Sequence, residues 1–175
     1  MSGADAARAA AALFVAAILQ VSIFSGVVIL NGRPQLVLVS VVLVALLRGA
    51  IFGSVAGFLA GLLADTGTLG MLGFTSLLLT LAAYWTGRYG ETTGRDRPHA
   101  PLLSVAVATV LYQVGALALH FMLGQHAPAR VVLLEGLVPT VALNTLLTVP
   151  VYALVRRLLP PLARTERAPE VRLLA

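Results

Sequence analysis

Long uncharged apolar runs alternate with short polar breaks along this chain. The first run extends from Ala9 to Leu30, after Arg8. Asn31, Gly32 and Pro34 then supply turn residues, with proline suited to the opening of a helix. Further runs cover Gln35 to Leu47, Ala50 to Ala64, Leu69 to Thr86, Leu102 to Leu123 and Val131 to Val155. They are separated by Arg48 and Gly49, by Asp65 and its glycines, by RYGETTGRDRPH and by GQHAPAR. Crossing hydrocarbon about 30 Å thick takes about 20 helical residues, so the pattern predicts an all-α bundle of six transmembrane helices. Its bounds are about 9–30, 35–47, 50–64, 69–86, 102–123 and 131–155, in one membrane domain over 1–175 with a tail at 156–175. The first run is longer than the apolar core of a secretory signal and reads as a retained anchor.

Residues 35–64 allow two readings, one long tilted helix or two short helices turning at Arg48 and Gly49. Arginine placement favours two. With six crossings, ten of the twelve arginines fall on one side, and only Arg33 and Arg130 fall on the other. By the positive-inside rule that side is the cytoplasm, with both termini and the loop from Arg88 to His99. A single long helix places Arg48 near the bilayer centre, at roughly 2.5 to 3.5 kcal/mol on insertion scales. A re-entrant hairpin ranks second because it also buries Arg48. On the six-helix reading, Arg33 and Arg48 sit at the ends of short helices and snorkel towards the interface.

Composition then fixes the solvent. The chain is 59% hydrophobic and 11% charged, with mean hydropathy +0.95, whereas soluble domains carry about a quarter charged residues. It reads as an integral membrane protein. Cysteine is absent, which excludes disulfides and thiolate metal sites. The net charge of +5 does not point to nucleic acid, because the arginines flank helix ends. Their simplest role is orientation and attraction to anionic lipids at the cytoplasmic face.

The stretch GSVAGFLAGLLADTGTLGMLGF carries the most specific pattern. Gly53, Gly57 and Gly61 share one helix face with Ala56, Ala60 and Ala64, a surface that lets another backbone approach closely. Two readings stay open, packing within the bundle or docking of a partner helix. On either, Gly57→Leu forces the helices apart, whereas Gly57→Ala is expected to be nearly tolerated. Asp65 reads as a hydrated carboxylate at the outer helix end, followed by a tight turn at Gly67, Gly70 and Gly73.

Gln20, Gln113 and Asn144 fall near mid-membrane, where amides usually bond neighbouring helices at about 0.6 kcal/mol each; a substrate site is the alternative. Glu135 is placed to pair with Arg130 or to reach water. His99, His120 and His126 lack metal-ligand spacing, and there is no phosphate loop or nucleophile elbow. Ser22, Ser25, Ser40 and Ser76 read as helix serines bonded to carbonyls, and Pro139 and Pro150 as kinks in the last helix. No metal, cofactor or catalytic constellation is expected, and the protein reads as a non-enzyme.

The order LQVSIF, then RPQLVLVSVVLVALLRGAIFGSVAGFLAGLLADTGTLGMLGF, then NTLLTVPVYALVRRLL, resembles the rod shape-determining MreD family over nearly the whole chain. Arg48 to Asp65 with the glycine-rich turn is the most specific piece, supported by the step from Asn144 to Pro150. Where many members have an aspartate after the proline that opens helix two, this chain has Gln35, so no carboxylate role is carried over there. The resemblance implies a non-enzymatic component of the machinery that elongates peptidoglycan in rod-shaped bacteria. Its implied partners are MreC, the actin-like MreB, and RodA with its class B penicillin-binding protein. It also implies a fold similar to the six-helix substrate-binding subunits of energy-coupling vitamin transporters, and hence a rival role in capturing a small molecule.

Overall fold

The computed structural model describes residues 3–68, 71–93, 99–124 and 135–159. Arg95, Arg97, His126, Arg130 and the tail from residue 160 lie outside them, as do the first residues of the fourth and sixth apolar runs.

Six α-helices form among the described residues: α1 (Gly3–Ser22), α2 (Leu36–Arg48), α3 (Ala50–Thr68), α4 (Phe74–Thr93), α5 (Ala100–Met122) and α6 (Leu137–Leu158). They include no strand beyond an isolated bridge between Ile29 and Gly32. Four segments are long and apolar enough to cross a membrane: Asp5–Ser22, Ala50–Gly67, Ala100–Met122 and Leu137–Leu158. α2 is apolar but has 13 residues, and the last turns of α4 carry the polar sequence GRYGETT.

The first helix ends at Ser22, well before its apolar run does at Leu30. A 3-10 turn at Phe24–Gly26 follows, and the chain then reverses through Leu30 and Asn31, both at positive φ. Turn geometry at Asn31 and Gly32 therefore overrides the hydrophobicity of Val27 to Leu30. Residues 35–64 form two helices, broken at Gly49 with φ +96°, a conformation glycine adopts without steric penalty.

α2 is the hub. Every residue from Leu36 to Arg48 is buried, and the helix touches all five others. Those five close a ring around it in the order α1, α3, α4, α5, α6. Leucine and valine on every face of LVLVSVVLVALL suit a helix enclosed on all sides, whereas the ring helices keep large apolar side chains on their outer faces. At 1.5 Å per residue α2 is about 20 Å long, shorter than the roughly 30 Å hydrocarbon core, so its ends need partners from the ring.

Contacts along the helices fix their directions. Gly57 lies against Val41 of α2 and Leu79 of α4, and Gly61 against Ser76, so α3 runs antiparallel to both. Asn144 and Thr140 of α6 reach Gln35 and Arg33 at the start of α2, and His120 near the end of α5 meets Phe74 at the start of α4. Arg8, Arg48, Arg88, Arg156 and Arg157 therefore gather at one end of the bundle, and Arg33 lies at the other.

Candidate functional site

Three clusters tie the ring to the hub. The first holds the start of α2, whose leading N–H groups have no partner within the helix. Gln20 of α1 accepts from Leu36 N–H and donates to the Pro34 carbonyl at 3.2 Å. Asn144 of α6 is fully buried; its Oδ1 accepts from Gln35 N–H at 2.8 Å, and its Nδ2 donates to Thr109 Oγ1 of α5 at 3.1 Å. Thr140 Oγ1 accepts from Arg33 N–H at 3.2 Å. Gln20 and Asn144 are thus caps for one short helix. Gln113 is not brought to them and makes no side-chain hydrogen bond among the described residues. Glu135 meets Asn31 at 3.4 Å, and Gly32 packs on Pro139 in the first turn of α6, where a missing N–H costs nothing. Gln35 Oε1 is buried without a hydrogen-bond partner among the described residues.

Asn144→Ala is expected to leave the Gln35 N–H unpaired inside the bundle and to lower stability by about 1–3 kcal/mol. Thermal unfolding of purified protein in detergent checks it, with Gln113→Ala, expected near zero, as the comparison.

The second cluster is the contact of α3 with α4. Gly53, Gly57 and Gly61 are buried, facing Ala45 and Val41 of α2 and Leu79, Ala83 and Ser76 of α4. A Cβ on Gly57 would lie 2.8 Å from the Leu79 carbonyl oxygen, and one on Gly61 would collide with the Ser76 backbone. α4 answers with its own glycines: Gly87 rests on Ala50, and Gly90 on the Leu46 carbonyl. The glycine face is therefore occupied inside the bundle, and even alanine at Gly57 meets a backbone that has no rotamer to change.

Asp65 is one more step of four along that face, and it is not hydrated. It is 2% exposed, and its carboxylate accepts from the N–H groups of Gly73 at 2.9 Å, Thr75 at 3.1 Å and Ser76 at 3.4 Å. It caps α4, where a negative charge also meets the positive end of the helix dipole. The Ser76 hydroxyl donates to the Phe58 carbonyl at 2.8 Å, bonding α4 to α3 a second time. Of the turn glycines, Gly73 has φ +90°, Gly67 lies within α3 against Val21, and Gly70 lies outside the described residues.

The third cluster closes the arginine-rich end. Arg48 does not reach outward; its side chain is 1% exposed and pairs through Nη1 with Asp5 of α1 at 3.3 Å. Asp5 also pairs with Arg8 at 3.8 Å. Glu91 of α4 accepts from Ala50 N–H at 2.8 Å and pairs with Arg88 at 3.3 Å, capping α3 as Asp65 caps α4. Sequence reading missed Asp5, Glu91 and Thr140. The signal available for Glu91 was its helical spacing from Arg88 in a segment with no proline before Pro98, which lets α4 continue past its apolar run.

Among the described residues, no three His, Asp or Glu side chains converge as metal ligands. A groove of about 810 Å³ between α1 and α3 is lined by apolar side chains and Thr66. The sequence profile of the family described as rod shape-determining protein MreD matches residues 9–161. The chain belongs to the MreD family. The match runs from the second turn of α1 to just past α6, so it spans the first two clusters and all of the third except Asp5 and Arg8. It supports a role in rod shape determination by an integral membrane protein. No curated protein and no solved structure matches the chain, so the likeness to vitamin-transporter subunits has no support.

Proposed function

We propose that this MreD family member is a non-enzymatic scaffold of the wall-elongation machinery in the inner membrane. It crosses six times, with both termini and the segment from Arg88 to His99 in the cytoplasm. The observation that carries the reading is the family match over residues 9–161. The geometry agrees with a scaffold: polar side chains tie α2 to α1 and α6, and α3 to α4. Its partners are MreC, MreB, RodA and the class B penicillin-binding protein, engaged through the outer faces of the ring helices. The gathered arginines orient the bundle towards the anionic inner leaflet.

Crosslinking in native membranes followed by mass spectrometry tests the partnership. Wall-synthesis proteins are the expected products; an ATPase module with a bound vitamin instead overturns the reading. Topology has its own test. A single cysteine at Thr92, exposed near the end of α4, is expected to resist an impermeant thiol reagent in intact cells and to react after lysis. Labelling in intact cells refutes the six-crossing arrangement.

A further inference from the structure

The groove between α1 and α3 opens beside the arginine cluster. Ala6, Ala9 and Phe14 of α1 face Phe52, Ala60 and Leu63 of α3 across it. Asp5, which holds Arg48, is the residue before Ala6 and lies one helical turn ahead of Ala9 on the same face. The groove therefore begins at the charged end of the bundle. It extends about 12 Å along α1 and about 21 Å along α3, which brackets the roughly 15 Å depth of one leaflet.

Among the described residues, the charged end holds more arginines than carboxylates: Arg8, Arg48, Arg88, Arg156 and Arg157 against Asp5 and Glu91. Arg8 and Arg48 share one carboxylate, Asp5, while Arg88 and Glu91 neutralise each other. Arg48 Nε and Nη2 are buried and have no acceptor among the described residues, and the Arg8 side chain is 56% exposed. A buried guanidinium left with open N–H groups calls for an anionic acceptor.

We propose that this groove binds one anionic phospholipid, with an acyl chain along α1 and α3 and the phosphate at the Arg8–Asp5–Arg48 cluster. The inference rests on the membrane assignment and not on the role in cell shape. An acyl chain suits the groove better than a helix does. Helices associate in lipid by close backbone approach, and the exposed Phe14, Val55 and Leu59 at this groove stand in its way. A lipid chain needs only an apolar channel, and the phosphate supplies the missing negative charge.

Native mass spectrometry of the full chain, released from mild detergent, tests the site with phosphatidylglycerol and phosphatidylcholine of equal chain length. One phosphatidylglycerol per chain is expected to persist at activation energies that strip phosphatidylcholine. Arg8→Gln is expected to weaken phosphatidylglycerol about fivefold, the equivalent of ~1 kcal/mol for one arginine near an anionic surface, and to leave phosphatidylcholine unchanged. Ala10→Phe, at an exposed groove position, is expected to reduce retention of both lipids without moving the thermal midpoint. Equal retention of phosphatidylglycerol by the wild type and Ala10→Phe overturns the proposal. So does a second protein chain held in place of the lipid and lost with Ala10→Phe.

Discussion

Gly61→Leu is expected to leave the chain inserted in the membrane but without a stable bundle, and Gly57→Ala to be damaging where a surface alanine would be silent. Leucine is favourable in hydrocarbon, so insertion has no reason to fail. The damage arises at the contact of α3 with α4, where the added carbon at Gly61 meets the backbone of Ser76 and Thr75. Backbone cannot rotate aside, so the helices must separate, and the Ser76 hydroxyl bond to Phe58 and the Asp65 cap are strained with them. At Gly57 a single methyl lies 2.8 Å from the Leu79 carbonyl oxygen, and overpacking of this kind costs about 1–3 kcal/mol. The check is thermal unfolding in detergent alongside shape complementation in cells depleted of the native protein. Gly26→Ala, with open space around its Cβ position, serves as the control. Gly61→Leu protein with a wild-type midpoint and normal rod shape would show that α3 and α4 do not pack as described.

The Leu79 carbonyl 2.8 Å from the Cβ position of Gly57 shows where the sequence stops being informative. A spacing of four announces a face that admits another backbone; it does not announce how near that backbone comes. The same limit applies to α2. Its length, its break at Gly49 and its uniform hydrophobicity are legible in LVLVSVVLVALLRG, yet a short run between arginines reads equally well as a thin crossing at the lipid boundary. Only the ring of five helices makes it the hub. Arg48 follows from that placement. Read alone, an arginine at a helix end snorkels to water; with α1 lying across the end of α2, it turns inward to Asp5, forty-three residues earlier. Gln20 and Asn144 were legible as interhelical amides because an amide in hydrocarbon must bond something. That both serve the first turn of one helix required the fold, since their partners are backbone N–H groups, and backbone carries no signal of its own in sequence.

Asp65→Ala is expected to destabilise the bundle on the order of 3 kcal/mol, more than any single amide deletion, because it orphans several donors at once. The N–H groups of Gly73, Thr75 and Ser76 all point at this carboxylate, and Asp65 is almost fully enclosed, so water is poorly placed to replace it. The loss has two parts. One is hydrogen bonding, which Asn retains in part through its single carbonyl oxygen. The other is the negative charge at the start of α4, worth up to about 2 kcal/mol when partly buried, which Asn abolishes. Asp65→Asn is therefore expected to fall between wild type and Asp65→Ala, and Asp65→Glu to fare poorly because its extra methylene displaces the carboxylate from the N–H groups of Gly73, Thr75 and Ser76. The position was visible in the sequence as the fourth member of the series Gly53, Gly57, Gly61, Asp65: a residue in step with three buried glycines is carried to the same neighbour. Thermal midpoints of the three variants give the order, and hydrogen exchange at the first turn of α4 gives the cause. Faster exchange confined to residues 73–76 in Asp65→Asn is the expected signature. Unchanged exchange there, with a lowered midpoint, would mean that the carboxylate acts elsewhere and that α4 is not held by this cap.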